Sequence, residues 1–333
     1  MAHPSSRASA SAPQSASPIV VGRPPNFWLF SSSSGFDMTH PPTPTSPLVY
    51  PRLALTTTNA AVTIAPHKTA LVIIDMQNYF LSAALGRRRG EGHDAEDVLL
   101  KLGIPAAREA GIQVIWLNWG ISDEGLETMT PTLWRAFGWM VTDDDQKGSS
   151  FNVVDDSGGI AGGAVRVLER QTNAGIGAEL GRVKLDDGSQ VNAGKKLLRD
   201  QWNTRLHGRL EDAFQDGQKA AVPDVRFHKD RLSGLWGGGD STELEVFLER
   251  QGIKTLLFSG VNTDQCVLAT VQDASNKGFD TVLLKDGCGT MSPDYAKQMV
   301  LLNCQKSWGF VSSCAALAQG AKNMIKEEAA EGA

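Results

Sequence analysis

The sequence predicts an α/β fold, three layers (α/β/α) around a mainly parallel six-stranded sheet, and three observations predict it. From Thr69 onward short β-branched runs alternate with longer amphipathic segments, which is how a parallel sheet with crossover helices is written in sequence. No internal repeat competes with that alternation. The chain of 333 residues, 41% hydrophobic and 21% charged, has an ordinary globular composition and is long enough to bury a sizeable core.

The first fifty residues read as a low-complexity, largely disordered tail. Residues 9–17 alternate Ser and Ala with one Pro and one Gln, residues 31–34 are all Ser, and Pro41, Pro42, Pro44 and Pro47 follow. Such composition buries too little apolar surface to offset the entropy of ordering. With Asp37 as its one acid and Arg7 and Arg23 as its basic residues, the tail also has the make-up of a mitochondrial presequence, which stands beside a cytoplasmic location as the alternative. The aromatic patch Phe27-Trp28-Leu29-Phe30 is the exception, with two docking places open to it, the folded domain or a neighbouring subunit.

Residues 51–333 form the domain proper, with a long insert at about 121–222. Strands are expected at 70–75, 113–118, 225–229, 255–261, 281–285 and 310–313. Pro105 is expected to open a helix ending at Gly111. Thr242-x-x-Glu245 forms a capping box for a helix that Gly252 ends. Further helices should run from about Asp264 to Gly278, and from Pro293, capped by Ser292, to about Trp308. The insert carries Asp143-Asp144-Asp145, a flexible stretch at 155–163, and Gly175, Gly177 and Gly181. Within it Leu198, Trp202, Leu206, Leu210 and Phe214 recur every four residues, the mark of a helix with one apolar stripe. That helix either packs on the core or belongs to a lid.

Charge and cysteine usage exclude several classes. Basic and acidic residues, 32 against 37, leave a net charge of −5, and no basic block exceeds Arg87-Arg88-Arg89. Nucleic acid, which needs a concentrated basic face, is not a partner on this reading. Apolar runs such as residues 70–74 fall far short of the roughly 18–20 residues that span a bilayer. Cys266, Cys288, Cys304 and Cys314 contain no C-x-x-C pair and match neither a disulfide framework nor a zinc site, so they read as four thiols in a reducing compartment.

Three chemically capable residues stand where buried strands end, the edge at which open α/β sheets bind ligands. Asp75 closes Leu71-Val72-Ile73-Ile74, and a carboxylate there is costly unless it is paired or at the rim. Lys229 closes Val225-Arg226-Phe227-His228, with His228 facing the opposite side of the strand. Cys266 follows Gly260-Val261-Asn262-Thr263-Asp264-Gln265 in the first turn of a helix. Helix position and a lysine ammonium are expected to lower its pKa and so enrich the nucleophilic thiolate.

Three motifs in order resemble the isochorismatase-like cysteine hydrolases: Ala70-Leu71-Val72-Ile73-Ile74-Asp75-Met76-Gln77-Asn78-Tyr79-Phe80; His228-Lys229-Asp230-Arg231-Leu232-Ser233-Gly234-Leu235; and Gly260-Val261-Asn262-Thr263-Asp264-Gln265-Cys266-Val267. The resemblance spans roughly Thr69 to Ala318, apart from the insert. It implies Asp75, Lys229 and Cys266 as a catalytic triad. It also implies a cis peptide at Val261–Asn262 and an oxyanion hole made by the amides of Asn262 and Cys266.

The activity so implied is metal-free, cofactor-free hydrolysis of a C–N bond in a small amide, ureide or lactam through a Cys266 acyl-enzyme. Departures from the family pattern narrow it. Nicotinamidases carry an Asp-x-His metal motif where this chain reads Leu117-Asn118-Trp119-Gly120, so no metal ligands are expected. Tyr79 stands where many members have Asp. Gln77, Phe80, Asn118, Trp119 and Trp236 are the candidate substrate contacts, with Trp134, Phe137 and Trp139 as further pocket walls and Cys288 as a possible neighbour. A homo-oligomer, dimer or tetramer, is expected. The competing readings are a non-catalytic binding or effector protein on the same fold, and a thioester hydrolase or acyl transferase using the same nucleophile.

Overall fold

The computed structural model describes residues 18–137 and 175–331. Within the expected tail it shows three strands, β1 (Ile19–Arg23), β2 (Asn26–Ser31) and β3 (Gly35–Met38), which join β4 (Leu53–Thr56) and β5 (Ala61–Ile64) in a sheet of order β1-β2-β3-β5-β4. The expectation of disorder over residues 1–50 is thus corrected for residues 19–38, while residues 1–17 lie outside the described residues. Composition misled because the serines and prolines sit between strands: residues 32–34 turn the chain from β2 into β3, and Pro41, Pro42, Pro44 and Pro47 lie in the link to β4.

The aromatic patch docks on the folded domain. Trp28 packs against Phe36 and Phe310, with ring centroids 5.8 and 5.6 Å away, and its indole N–H donates to Asp280 Oδ1 at 2.7 Å. His40 Nε2 meets Asp280 Oδ2 at 2.7 Å, so one buried carboxylate clamps the N-terminal sheet to the core. Two polar groups on one acceptor residue fix the docking angle as apolar contact alone does not.

The main sheet holds β6 (Thr69–Ile74), β7 (Gln113–Trp119) and, beyond the small hairpin β8 (Arg182–Lys184) and β9 (Gln190–Asn192), β10 (Val225–Lys229), β11 (Thr255–Val261), β12 (Asp280–Gly289) and β13 (Phe310–Ser312). Its order is β10-β7-β6-β11-β12-β13 and every neighbouring pair is parallel. Strands β6 and β11 are buried throughout, as strands covered by helices on both faces must be. Alternation sends Leu71, Ile73, Trp116 and Leu257 into one core and Val72, Ile74, Leu117 and Phe258 into the other. Strand order reverses between β6 and β11, which opens a crevice at their C-terminal ends.

Helix Glu243–Arg250 has its Thr242 cap, Oγ1 accepting from Glu245 N at 3.2 Å, and Gly252 leaves it at φ 68°. The expected capping box is not closed, because the Glu245 carboxylate pairs with Lys277 instead of reaching back to the Thr242 N–H. Two other expectations are corrected. Pro105 does not open a helix, because Glu91–Val98, the wide π turn Leu99–Gly103 and Ile104–Glu109 run on without a break. The widened turn accommodates a proline nitrogen that cannot donate. Ser292 does not cap Asp294–Asn303, whose N-cap is Pro293 with no side-chain bond.

The four-residue stripe of the insert does not form one helix either. Only Arg209–Gly217 is α-helical, and Trp202–Thr204 is a single 3₁₀ turn. Residues 193–207 instead run across the ends of β6 and β7. Ile121 N donates to Leu197 O at 2.9 Å, Arg199 N to Ile121 O at 3.0 Å, Asn78 N to Arg205 O at 2.9 Å and His207 N to Met76 O at 2.9 Å. Backbone pairing with the strand ends outweighs helical periodicity here, while Leu198, Leu206, Leu210 and Phe214 are buried all the same. The acidic triplet at 143–145 and the flexible stretch at 155–163, with its lid reading, lie outside the described residues. Among the described residues no helix is long and apolar enough to cross a membrane.

Trp28→Phe keeps the ring but removes the donor to Asp280. It is expected to lower the unfolding free energy in urea by about 1–3 kcal/mol; an unchanged midpoint would show that the N-terminal sheet docks by apolar contact alone.

Candidate active site

Local backbone geometry brings three strand ends to one point. Asp75 leaves β6 at φ 53°, a left-handed conformation that Asp tolerates better than most residues, and its N–H donates to Leu117 O at 2.9 Å. Gly260, at φ 108°, lies so close to the Ile74 backbone that a Cβ there would collide with Ile74 N and O. Only glycine lets β11 approach β6 in this way. Beyond Gly260 come the Val261–Asn262 peptide, which is cis, and the π turn Thr263–Val267 that carries Cys266 into helix Leu268–Asn276.

The three expected residues meet in one buried cluster. Lys229 Nζ lies 3.0 Å from Asp75 Oδ2 and donates to Arg231 O at 3.2 Å. The Cys266 thiol and the Asp75 carboxylate are buried together, close enough for each to shift the other's ionisation. Asp75 Oδ1 accepts from the Trp119 backbone N–H at 3.0 Å, and the Trp119 indole N–H donates to Cys266 Sγ at 3.3 Å. Asp75 and Trp119 are wholly buried, and Cys266 is 3% exposed. The ammonium meets Oδ2 as an ion pair rather than along an aligned hydrogen bond, so that oxygen keeps a lone pair for another proton.

Burial reverses the expected direction of the cysteine's pKa. Loss of hydration pushes the Cys266 thiol up to about 12, against the favourable charge of Lys229 and the Trp119 bond, and with the Asp75 charge adding to the rise. Burial also raises Asp75 above the usual carboxylate range, although Lys229, the thiol and the Trp119 N–H all oppose it. The expected thiolate is therefore a thiol at rest. It is paired with a carboxylate whose proton affinity is enhanced, an arrangement suited to proton transfer when a substrate enters rather than to a standing anion.

The candidate substrate contacts divide. Trp119 touches the cluster directly. Gln77 does not present its amide to a ligand: Nε2 donates to Trp119 O at 2.7 Å and Thr204 O at 2.8 Å, and Oε1 accepts from Trp119 N at 3.0 Å. Its role is to hold the Trp119 backbone. Asn118 is fully buried and, by strand alternation, on the sheet face opposite Trp119. Phe80 packs against both cores, and Trp236, half exposed, lies under the Arg231 guanidinium at 5.1 Å. Phe137 stacks edge-on with Trp119 at 5.2 Å, Trp134 is partly buried, and Trp139 lies outside the described residues. Tyr79 is buried, with the Arg87 guanidinium 5.0 Å and the Lys196 ammonium 5.6 Å from its ring. Cys288 is buried with its sulfur 3.8 Å from Phe258 O, and burial raises its pKa. The Arg231 carbonyl and the Gln77 clamp were not found from sequence, because neither a backbone acceptor nor a lone glutamine carries a signal there.

Comparison with known proteins places these features. The family model of the Isochorismatase domain matches residues 171–316. The chain is 26% identical to the ureidoacrylate amidohydrolase RutB of Cronobacter sakazakii over 266 residues, 78% of this chain and 91% of that protein. It is 27% identical to RutB of Enterobacter sp. (strain 638) over 263 residues, 77% of this chain and 90% of that protein. Over these spans the chain is similar to the isochorismatase-like hydrolases. A cysteine hydrolase from Pseudomonas syringae pv. phaseolicola 1448A shares the fold, with a TM-score of 0.51 and 17% identity over 83% of this chain and all of that one. The span matched by the family model holds Lys229 and Cys266, whereas Asp75 precedes it and joins them through the fold. Among the described residues no three His, Cys, Asp or Glu side chains group so as to hold a metal ion.

A thiol held neutral by burial sets a pH dependence. Below about pH 10 the thiolate fraction of Cys266 rises tenfold per pH unit, so the rate of its alkylation by iodoacetamide in substrate-free protein should climb throughout pH 6–9 without levelling. A plateau near pH 7, followed by mass analysis of the Cys266 peptide, would show a standing thiolate instead.

Proposed function

We propose that this hydrolase cleaves a C–N bond of a small amide, ureide or lactam by covalent catalysis at Cys266. The observation that carries the reading is the buried cluster in which Trp119 bridges the Asp75 carboxylate and the Cys266 sulfur, with the Lys229 ammonium 3.0 Å from that carboxylate. A nucleophile within reach of a base, itself paired with a fixed cation, is the arrangement that covalent acyl transfer requires. The ureidoacrylate amidohydrolases among the relatives make ureides the first substrate class to test.

In the proposed cycle Asp75 takes the thiol proton as sulfur attacks the substrate carbonyl carbon. Lys229 keeps its positive charge beside both developing anions. The amides of Asn262 and Cys266 receive the tetrahedral oxyanion, each donor contributing about 3 kcal/mol by the measure of other oxyanion holes. Protonated Asp75 returns its proton to the departing nitrogen as the C–N bond breaks, leaving a thioester. A water molecule that gives its proton to the same carboxylate then attacks the thioester carbon, and as the C–S bond breaks Asp75 passes that proton to sulfur, regenerating the thiol and the carboxylate.

Cys266→Ala is expected to abolish turnover without unfolding the chain, since a small buried thiol contributes little packing but forms the covalent bond. Retention of more than about a hundredth of the activity would overturn the covalent route. Asp75→Asn should be comparably damaging, because the residues act as one unit. Mass spectrometry of rapidly quenched enzyme should find the acyl half of the substrate on the Cys266 peptide. Capture of that acyl group by an added amine in preference to water would favour acyl transfer instead.

Nucleophile, acid and base are all side chains of the cluster in this scheme, so EDTA is expected to leave kcat and KM unchanged. Loss of activity restored by zinc or iron would show a metal requirement.

A further inference from the structure

Trp119 touches every member of the cluster, each through a different part of itself. Its backbone N–H donates to Asp75 Oδ1 at 3.0 Å, its indole N–H to Cys266 Sγ at 3.3 Å, and its ring face lies 3.9 Å from Lys229 Nζ. It is wholly buried, and its ring is backed by Phe137 at 5.2 Å. Gln77 grips its backbone on both sides, so little freedom remains for the ring to move away. Side chains that only wall a pocket do not need such a hold.

We propose that Trp119 is a fourth catalytic residue of this site, its indole N–H binding the sulfur anion of Cys266 and its ring face holding the Lys229 ammonium. The proposal rests on the covalent reading above.

The chemistry follows from what each partner offers. A neutral thiol is a weak acceptor and a thiolate a strong one, so the same indole N–H binds sulfur far better after its proton has passed to Asp75 than before. A contact that strengthens with the developing charge lowers the barrier rather than merely binding the resting state. Lys229 has three N–H groups: one side meets Asp75 and another the Arg231 carbonyl, while the indole face attracts the cation without neutralising it as a second carboxylate would. The positive charge therefore stays available to the sulfur and to the oxyanion.

Trp119→Phe separates the two parts, keeping an aromatic face over Lys229 but losing the N–H. The test is the rate of Cys266 alkylation by iodoacetamide across pH 6–10, read by mass on the Cys266 peptide of the full-length chain, with circular dichroism confirming the fold. Loss of the donor should slow alkylation about tenfold at each pH, equivalent to an upward displacement of the profile by about one unit. A residue that only fills space gives the opposite sign, because a smaller ring opens the site and alkylation quickens. A rate equal to or above wild type therefore overturns the proposal.

Should Trp119→Phe not fold, the indole region of a ¹H–¹⁵N spectrum of the wild-type chain decides. Cys266→Ala removes the acceptor and must move one indole resonance, and an unchanged set of indole resonances overturns the proposal. Failure of the covalent reading is distinct from both, since it appears as residual turnover in Cys266→Ala whatever the alkylation rates.

Discussion

The buried pair of Asp75 and Lys229 is the constraint to which the rest of the site conforms. Two opposite charges taken out of water are tolerable only when they meet in good geometry with their remaining hydrogen bonds satisfied, and removing one partner of such a pair typically costs about 3–5 kcal/mol. Satisfying them requires β6 and β10 to end at the same level, although β7 stands between them in the sheet. It also requires the Trp119 N–H and the Arg231 carbonyl to point inward. The left-handed turn at Asp75 and the close approach at Gly260 are the local means by which the chain meets those demands.

The same burial decides the reactivity of Cys266. An exposed thiol beside a lysine would ionise readily and be open to oxidation and stray alkylation. A thiol closed off by Trp119 stays protonated until something enters that rewards its ionisation. The N-terminal sheet follows similar physics at the other end of the main sheet. There Asp280, buried at the start of β12, accepts from Trp28 and meets His40, so a carboxylate that needs partners becomes an anchor for a segment whose composition is otherwise poor in docking residues.

The insert shows the same logic in backbone form. Residues 193–207 lie across the rim of β6 and β7 because strand ends leave N–H and C=O groups that must be paired, and Leu197, Arg199, Arg205 and His207 supply the partners. The described part of the insert is thus pinned beside the site by main-chain bonds, and it brings Thr204 O to the Gln77 amide that in turn holds Trp119.

The sequence by itself determined the six core strands, because an unbroken apolar run bounded by turns has few alternatives in a parallel sheet, and it determined which of their ends carry Asp75, Lys229 and Cys266. The capped helix from Glu243 was equally legible, since cap and stop are local signals. Only the tertiary structure decided that residues 19–38 are strands, that the stripe from Leu198 to Phe214 is spread over a rim segment and a short helix, and that Pro105 sits inside a helix. In each case pairing with distant backbone or side chains overrode local composition or periodicity. It also decided the protonation of Cys266 and the threefold contact of Trp119. Electrostatic free energy in a buried site depends on how much water has been excluded and where each charge stands, and neither quantity is written in the spacing of residues along the chain.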